Sequence, residues 1–202
     1  MKHSRPTVTD RLALLAALVA VFGEMHPLWD QWAQDDHDAS NKDVYGRHLV
    51  YRDGTKVGDE DEEDDRTGQP TMTASAFGRR CVGRHVASYT AGQLAVTVAA
   101  TRALGYRIPT RAMLAGTAIN AVTHAVIDRR KPLLWLADKI GKTGYIDHCT
   151  AVRKPGDEAE LSGPGTALME LDQALHRAIG VGAALTTTIL ATRPGRATRR
   201  RR

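Results

Sequence analysis

Four long stretches of this chain carry almost no charge, and that limits its fold more than any other feature. They run from Leu12 to about Gln34, from His85 to about Leu104, from beyond Pro109 to Ile127, and from about Thr166 to Thr192. Charged residues are absent over Leu12–Gly23, Val86–Thr101, Ala112–Ile127 and Ala178–Thr192. Each stretch is too long for an ordinary strand and suits a helix. A soluble bundle would show a charged stripe along each helix, and the middles of the last three show none. They are rich in Ala, Leu, Val and small residues, which let helices approach closely in a bilayer. The expected fold is therefore all-α, a four-helix transmembrane up-down bundle, with a soluble four-helix bundle as the alternative. The charge-free cores fall somewhat short of the roughly 20 apolar residues of a spanning helix. Polar residues turned toward the bundle interior or the interface would supply the rest. Trp29, Trp32 and Trp135 lie near segment ends, where interfacial aromatics are common.

The mean hydropathy of -0.34 looks soluble, but it averages unlike parts. Acidic residues crowd into Asp59–Asp65 and arginines into Arg199–Arg202, and the net charge of +5 owes much to that tail. The expected organisation is one helical membrane domain over 1–202, interrupted by a polar, partly disordered insertion at 36–82 and closed by a basic tail at 193–202. Within the insertion, His48 to Val57 suggests a small hairpin turning at Asp53-Gly54. The acidic run and the Thr/Gly/Pro segment after it read as disordered. Leu133–Ile140 would lie along the membrane surface. Basic residues precede Leu12 as in a signal peptide, but no clean cleavage site follows, so a retained helix is expected. Cys81 and Cys149 have no motif spacing and read as unrelated thiols.

Chemistry-bearing residues recur at one spacing. His26/Asp30, His124/Asp128 and Asp172/His176 are each four residues apart, which places both members on one helix face. A single His85 opens the second stretch. In an up-down bundle the end of each odd helix and the start of each even one fall at the same end. All seven groups then converge. Imidazole and carboxylate are ligands that zinc, manganese or iron take from helix bundles. The expected metal ligands are His26, Asp30, His85, His124, Asp128, Asp172 and His176, around a divalent metal, zinc or manganese. Seven donors exceed one tetrahedral ion, so either two metals or one metal with Asp–His partners behind it would account for them. Asp30, Asp128 and Asp172 are the candidate catalytic carboxylates, with Gln173 and Lys131 polarising the substrate. The bland alternative is a hydrogen-bond network that fastens the bundle, or a proton relay. Pro27 is the weak joint, because it disfavours helical geometry at His26. His3, His37, His48 and His148 read as solvated, and Glu24 and Glu170 as reserves. Gln34 and Lys42 are ambiguous.

The ordered stretches His26–Asp30 with Gln34, Lys42, His85, His124–Asp128 with Lys131, and Asp172-Gln173-Ala-Leu-His176 resemble a family of small bacterial integral-membrane proteins of unassigned function. That family carries HxxxD, H, HxxxD and DQxxH motifs in this order. The chain departs from it at Gln31, where the family tends to have Phe, and in the insertion Asp36–Gly78. The family is in turn distantly similar to bacterial membrane-bound metal-dependent hydrolases. The resemblance implies a multi-pass protein of the cell membrane with the bilayer as its partner. The likeness to hydrolases carries no substrate with it, and the leading expectation for the site is a metal-dependent hydrolase acting on a membrane-proximal substrate. The alternative is a non-enzymatic membrane interaction or exclusion factor whose His/Asp cluster is structural. The Arg tail fits anionic lipid, and no nucleic acid is expected. A cytoplasmic tail would put the cluster and acidic loop outside.

Overall fold

In a computed structural model, which describes residues 6–61 and 64–193, the chain is mostly helical. The Arg199–Arg202 run lies outside the described residues, as do His3, Lys2 and Arg5. Among the described residues the elements are α1 Val8–Glu24, α2 Asp36–Asn41, β1 Leu49–Val50, β2 Met72–Thr73, α3 Ala74–Ala103, α4 Thr110–Ile127, α5 Lys131–Lys139, α6 Thr143–His148 and α7 Ala167–Thr192. The four charge-poor stretches are the four long helices. They touch in a ring: α1 on α3, α3 on α4, α4 on α7, and α7 back on α1.

Local signals place the helix starts. Thr7 and Asp10 form a reciprocal capping box on α1, with Thr7 N donating to Asp10 Oδ2 at 2.8 Å and Asp10 N to Thr7 Oγ1 at 3.1 Å. Asp35, Thr73 and Thr166 cap α2, α3 and α7 by accepting from backbone amides. The Thr73 cap starts α3 eleven residues ahead of His85, where the sequence suggests its start. Arg79, Arg80 and Arg84 make this turn-rich stretch look like loop. Arg79 and Arg80 face outward and Arg84 reaches Asp38 beside Cys81, while Phe77 and Cys81 pack with Val50 and Ala74.

Two stretches, Val8–Trp32 and Ala167–Thr192, are long and apolar enough to cross a membrane, with mean hydropathies of 1.6 and 1.3. The expectation of four such spans holds for these two only. Gln93 and Arg102 in the charge-poor part of α3, and Arg111, Asn120 and His124 in the 18-residue α4, lower the mean hydropathy of the others.

On α4 and α7 aliphatic side chains face outward and polar ones inward, the reverse of a soluble bundle, whereas α1 buries Leu14, Leu18 and Phe22. Leu114, Val122, Val181, Leu185 and Ile189 face outward, Val122 being 63% exposed. Gln93, Thr97, Thr101, Asn120, Thr187, Thr188 and Thr192 are buried among small residues such as Ala183 and Ala184. Thr97, Thr101, Thr187 and Thr192 each donate to the carbonyl four residues back on their own helix. Asn120 Nδ2 donates to Gln93 Oε1 at 2.8 Å. These threonines are thus satisfied by their own helix backbones, and Gln93 and Asn120 by each other.

In the insertion the Asp53-Gly54 turn forms. Tyr51 N donates to Thr55 O, Val50 bridges Lys56, and Gly54 takes the positive φ that the turn requires. The longer pairing of β1 is with β2, beyond the acidic run, in the register Leu49↔Thr73 and Val50↔Met72. Tyr51 Oη donates to Glu60, and Arg66 pairs with Asp53 and Asp64. The apolar piece Leu133–Ile140 falls largely in α5. It buries Leu133 and Ala137 against Ile127, Ile146 and Leu168 while leaving Trp135 and Ile140 exposed.

Candidate metal centre

Each long helix delivers its His or Asp to one end of the ring. His26 follows α1, which ends at Glu24 with Met25 as its cap, and helical backbone resumes through Pro27. The missing proline amide is absorbed by a π-helical turn over Leu28–Trp32, in which Ala33 N reaches back to Leu28 O at 3.1 Å. His26 and Asp30 therefore stay on one face, Nε2 to Oδ2 3.6 Å. Gly92 on α3 lets Trp29 lie flat against that helix, since a Cβ there would strike the indole. His85 is an inward residue of α3, His124 sits in the last turn of α4, and Asp128 caps α4. Asp172 and His176 lie in the opening turns of α7.

Asp30, His85, His124 and Asp128 are all buried, and a donor atom from each lies within 4.8 Å of the others. His85 Nε2 is 2.9 Å from His124 Nε2, 3.1 Å from Asp30 Oδ1 and 3.2 Å from Asp128 Oδ2. His124 Nε2 is 3.2 Å from Asp30 Oδ1 and 3.3 Å from Asp128 Oδ2. A regular tetrahedron of nitrogen and oxygen ligands about 2.0–2.1 Å from a zinc-like ion has edges of about 3.3–3.4 Å. Five of the six edges here run from 2.9 to 3.3 Å. The cage holds more acceptors than neutral imidazoles can serve. A neutral imidazole has one N–H, yet each Nε2 faces two carboxylates and the other Nε2 at once. Two imidazoles and two carboxylates carry a charge that one divalent cation cancels.

Asp172 and His176 extend the cluster. His176 Nε2 lies 3.2 Å from Asp128 Oδ1 and 3.7 Å from Asp172 Oδ1. Gln173 Nε2 donates to Asp30 Oδ2 at 2.8 Å and to Asp172 Oδ2 at 3.3 Å. All seven expected groups thus meet at one end. No protein-family model matches the chain, nor does any curated protein or solved structure. Function therefore follows from the geometry of the site itself.

Three further residues belong to the cluster: Lys42 and Gln34, which stand in the ordered motifs but read as ambiguous in sequence, and Tyr89, which stands outside those motifs. Lys42 Nζ donates to Asp128 Oδ2 at 2.9 Å. Burial works against its charge, but the carboxylates of Asp128 and Asp30 outweigh this and raise its pKa above the usual lysine value. Gln34, with its amide turned so that the nitrogen donates to Asp30 O, accepts from Lys42. Tyr89 Oη meets His26 Nδ1 at 3.1 Å and accepts from Gln93 Nε2 at 3.0 Å. Tyr89 stands four residues beyond His85, the same spacing as the other pairs, and that was its signal in the sequence. Lys131 is corrected: it lies 4.2 Å over the Tyr45 ring, not on the cluster. Beside it, buried Arg129 donates to Lys42 O at 2.7 Å and Val44 O at 2.9 Å and so fixes the segment that carries Lys42. Gly78 makes room for that guanidinium.

Glu24, Glu170, His48 and His148 are exposed and stand apart. His37, Asp38 and Cys81 form a smaller group on the other side of α3, but Arg84 occupies both oxygens of Asp38. A cleft of about 610 Å³ opens onto the main cluster. Asp30, Asp128, Asp172, Lys42 and Gln173 form its polar wall, and Ile127, Leu133, Leu168 and Met169 its apolar one.

Proposed function

We propose that the protein is a membrane-embedded metalloprotein whose His/Asp centre activates water for hydrolysis of a membrane-proximal substrate. The observation that carries the metal is the cage: four buried donors from three helices and a helix cap, spaced at the edges of a tetrahedron. Zinc and manganese both accept this donor set. The bilayer is supported by the inverted exposure, with aliphatic side chains outward and Thr, Gln and Asn inward. Hydrolysis is supported by the cleft. It brings solvent and an amphiphilic substrate to the carboxylates, with Lys42 and Gln173 beside them to polarise a carbonyl or phosphoryl oxygen.

The test is metal content. Detergent-purified protein should carry stoichiometric metal, or regain it from zinc or manganese after chelation, and His124→Ala should not. A folded protein that neither holds nor regains metal overturns the reading. A second reading is favoured by one observation: four protein donors close the cage, as in structural sites, whereas catalytic ions keep an open position. In that case metal removal would loosen the bundle, and no ester, amide or phosphoester would be cleaved.

A further inference from the structure

Asp128 faces two ways. Its Oδ2 belongs to the four-donor cage, while its Oδ1 lies 3.2 Å from His176 Nε2 on the side away from His85. One donor atom each from Asp128, Asp172 and His176 lie within 4.8 Å of one another. Asp30 is divided in the same manner: Oδ1 meets His85 and His124, and Oδ2 turns toward His26 and Gln173.

Two buried atoms beside this second group lack partners among the described residues. His26 is 2% exposed, its Nδ1 is taken by Tyr89, and its Nε2 has no hydrogen bond. Its ring lies 5.0 Å from that of His176, and its Nε2 is 3.6 Å from Asp30 Oδ2. Gln173 Oε1 is also buried and unpartnered, although the other end of that amide ties Asp30 to Asp172. Natural proteins seldom leave such groups unsatisfied unless something else completes them.

We infer that the centre holds two divalent cations, one in the Asp30/His85/His124/Asp128 cage and a second held by Asp128, Asp172 and His176, with His26 at its edge and Asp128 as the bridge. This rests on the metal reading above and gives the two positions different tasks. The cage is closed by four protein donors. The second position has three, and Asp172 and Asp128 line the cleft. An ion with three protein ligands keeps a place for water. Metals that share a carboxylate stand about 3.5–4 Å apart, close enough to hold attacking and leaving oxygens of one substrate together. The water-activating ion is therefore the second one, and the cage ion positions Asp30 and Asp128.

The full chain, purified in detergent and stripped with chelator, is refilled with Mn(II). Bound manganese is counted, and the electron paramagnetic resonance spectrum recorded. Wild-type protein should bind two ions per chain and show an exchange-coupled pair. Asp172→Asn and His176→Ala should each bind one, with the six-line spectrum of an isolated ion. Wild-type protein with one uncoupled ion overturns the second position and leaves the cage standing. Two ions with no coupling overturn the Asp128 bridge. A folded protein with no manganese overturns both the cage and what is built on it. If either variant fails to fold, the wild-type count and coupling still decide.

Discussion

Asp128→Asn removes one charge and almost no volume from the most connected group in the cluster. The Asp128 side chain is 1% exposed and lies within 3.3 Å of His85, His124, His176 and Lys42. The amide can accept from Lys42, but it neither balances that ammonium nor offers an anionic donor to a metal. Breaking a fully buried ion pair costs about 3–5 kcal/mol. The Lys42 side chain keeps 21% of its exposure, so the lower end applies to the metal-free protein. The larger contrast is in the response to metal. A ligand at 100 times its dissociation constant stabilises the state that binds it by about 2.7 kcal/mol. For a chain of this size that is about 5–11 °C of unfolding midpoint, at about 2–4 °C per kcal/mol. Thermal unfolding of detergent-solubilised protein, followed by helical circular dichroism with and without zinc, should show this rise in wild type and none in Asp128→Asn. An equal rise in both would refute the assignment of Asp128 as a shared metal ligand, and with it the reading of the cage.

Lys42→Met should raise metal affinity about tenfold or more, because an ammonium 2.9 Å from Asp128 Oδ2 competes with any cation there; titration against a chromophoric chelator reads the change. Tyr89→Phe should cost about 1–3 kcal/mol, since both His26 Nδ1 and Gln93 Nε2 lose their partner inside the bundle. Its metal stoichiometry should equal wild type, as checked by elemental analysis beside a chemical unfolding curve. Val122→Lys tests the bilayer. On a water-facing surface the change should stay within about 0.5 kcal/mol, whereas a lipid-facing lysine costs about 2.5–3.5 kcal/mol at mid-membrane. Accumulation in the membrane fraction should fall several-fold, and unchanged yield would count against a lipid-facing α4.

The cluster was legible because its signal is doubly local. An i,i+4 pair needs only helical geometry, and the meeting of the pairs needs only that successive long helices run back and forth. His124/Asp128 and Asp172/His176 satisfy both conditions within uninterrupted helices. His26/Asp30 satisfies them despite Pro27, since a π turn absorbs the lost amide, a choice made by packing against Gly92 and not visible in the local residues. Lys42 was harder to see. It is brought to Asp128 by a chain segment that Arg129 holds from 85–87 residues away, and no spacing rule spans that distance. The same applies to β1, whose partner lies beyond the acidic run and not across the Asp53-Gly54 turn. The front of α3 was hidden because its arginines mask an apolar face that rests on the insertion.

Helix parity brings the seven groups to one end, but spacing alone leaves open which of them belong together. Sorting them required the direction of each carboxylate oxygen. Asp30 and Asp128 both point one oxygen at the His85/His124 pair and the other away from it. A lone structural hydrogen bond would need one oxygen from each and would tolerate rotation of the other toward solvent. Here the outer oxygens are committed as well, to Gln173 and His176. An arrangement that fixes both oxygens of two buried carboxylates, sets imidazoles against them and leaves His26 Nε2 without a hydrogen bond among the described residues is one that could hold cations, as proposed above. That is why the inverted bundle and the cluster belong to one account. A polar interior of threonines, Gln93 and Asn120 continues from Tyr89 away from the site, so the small inward side chains that let helices pack closely also let their ends converge on the donors.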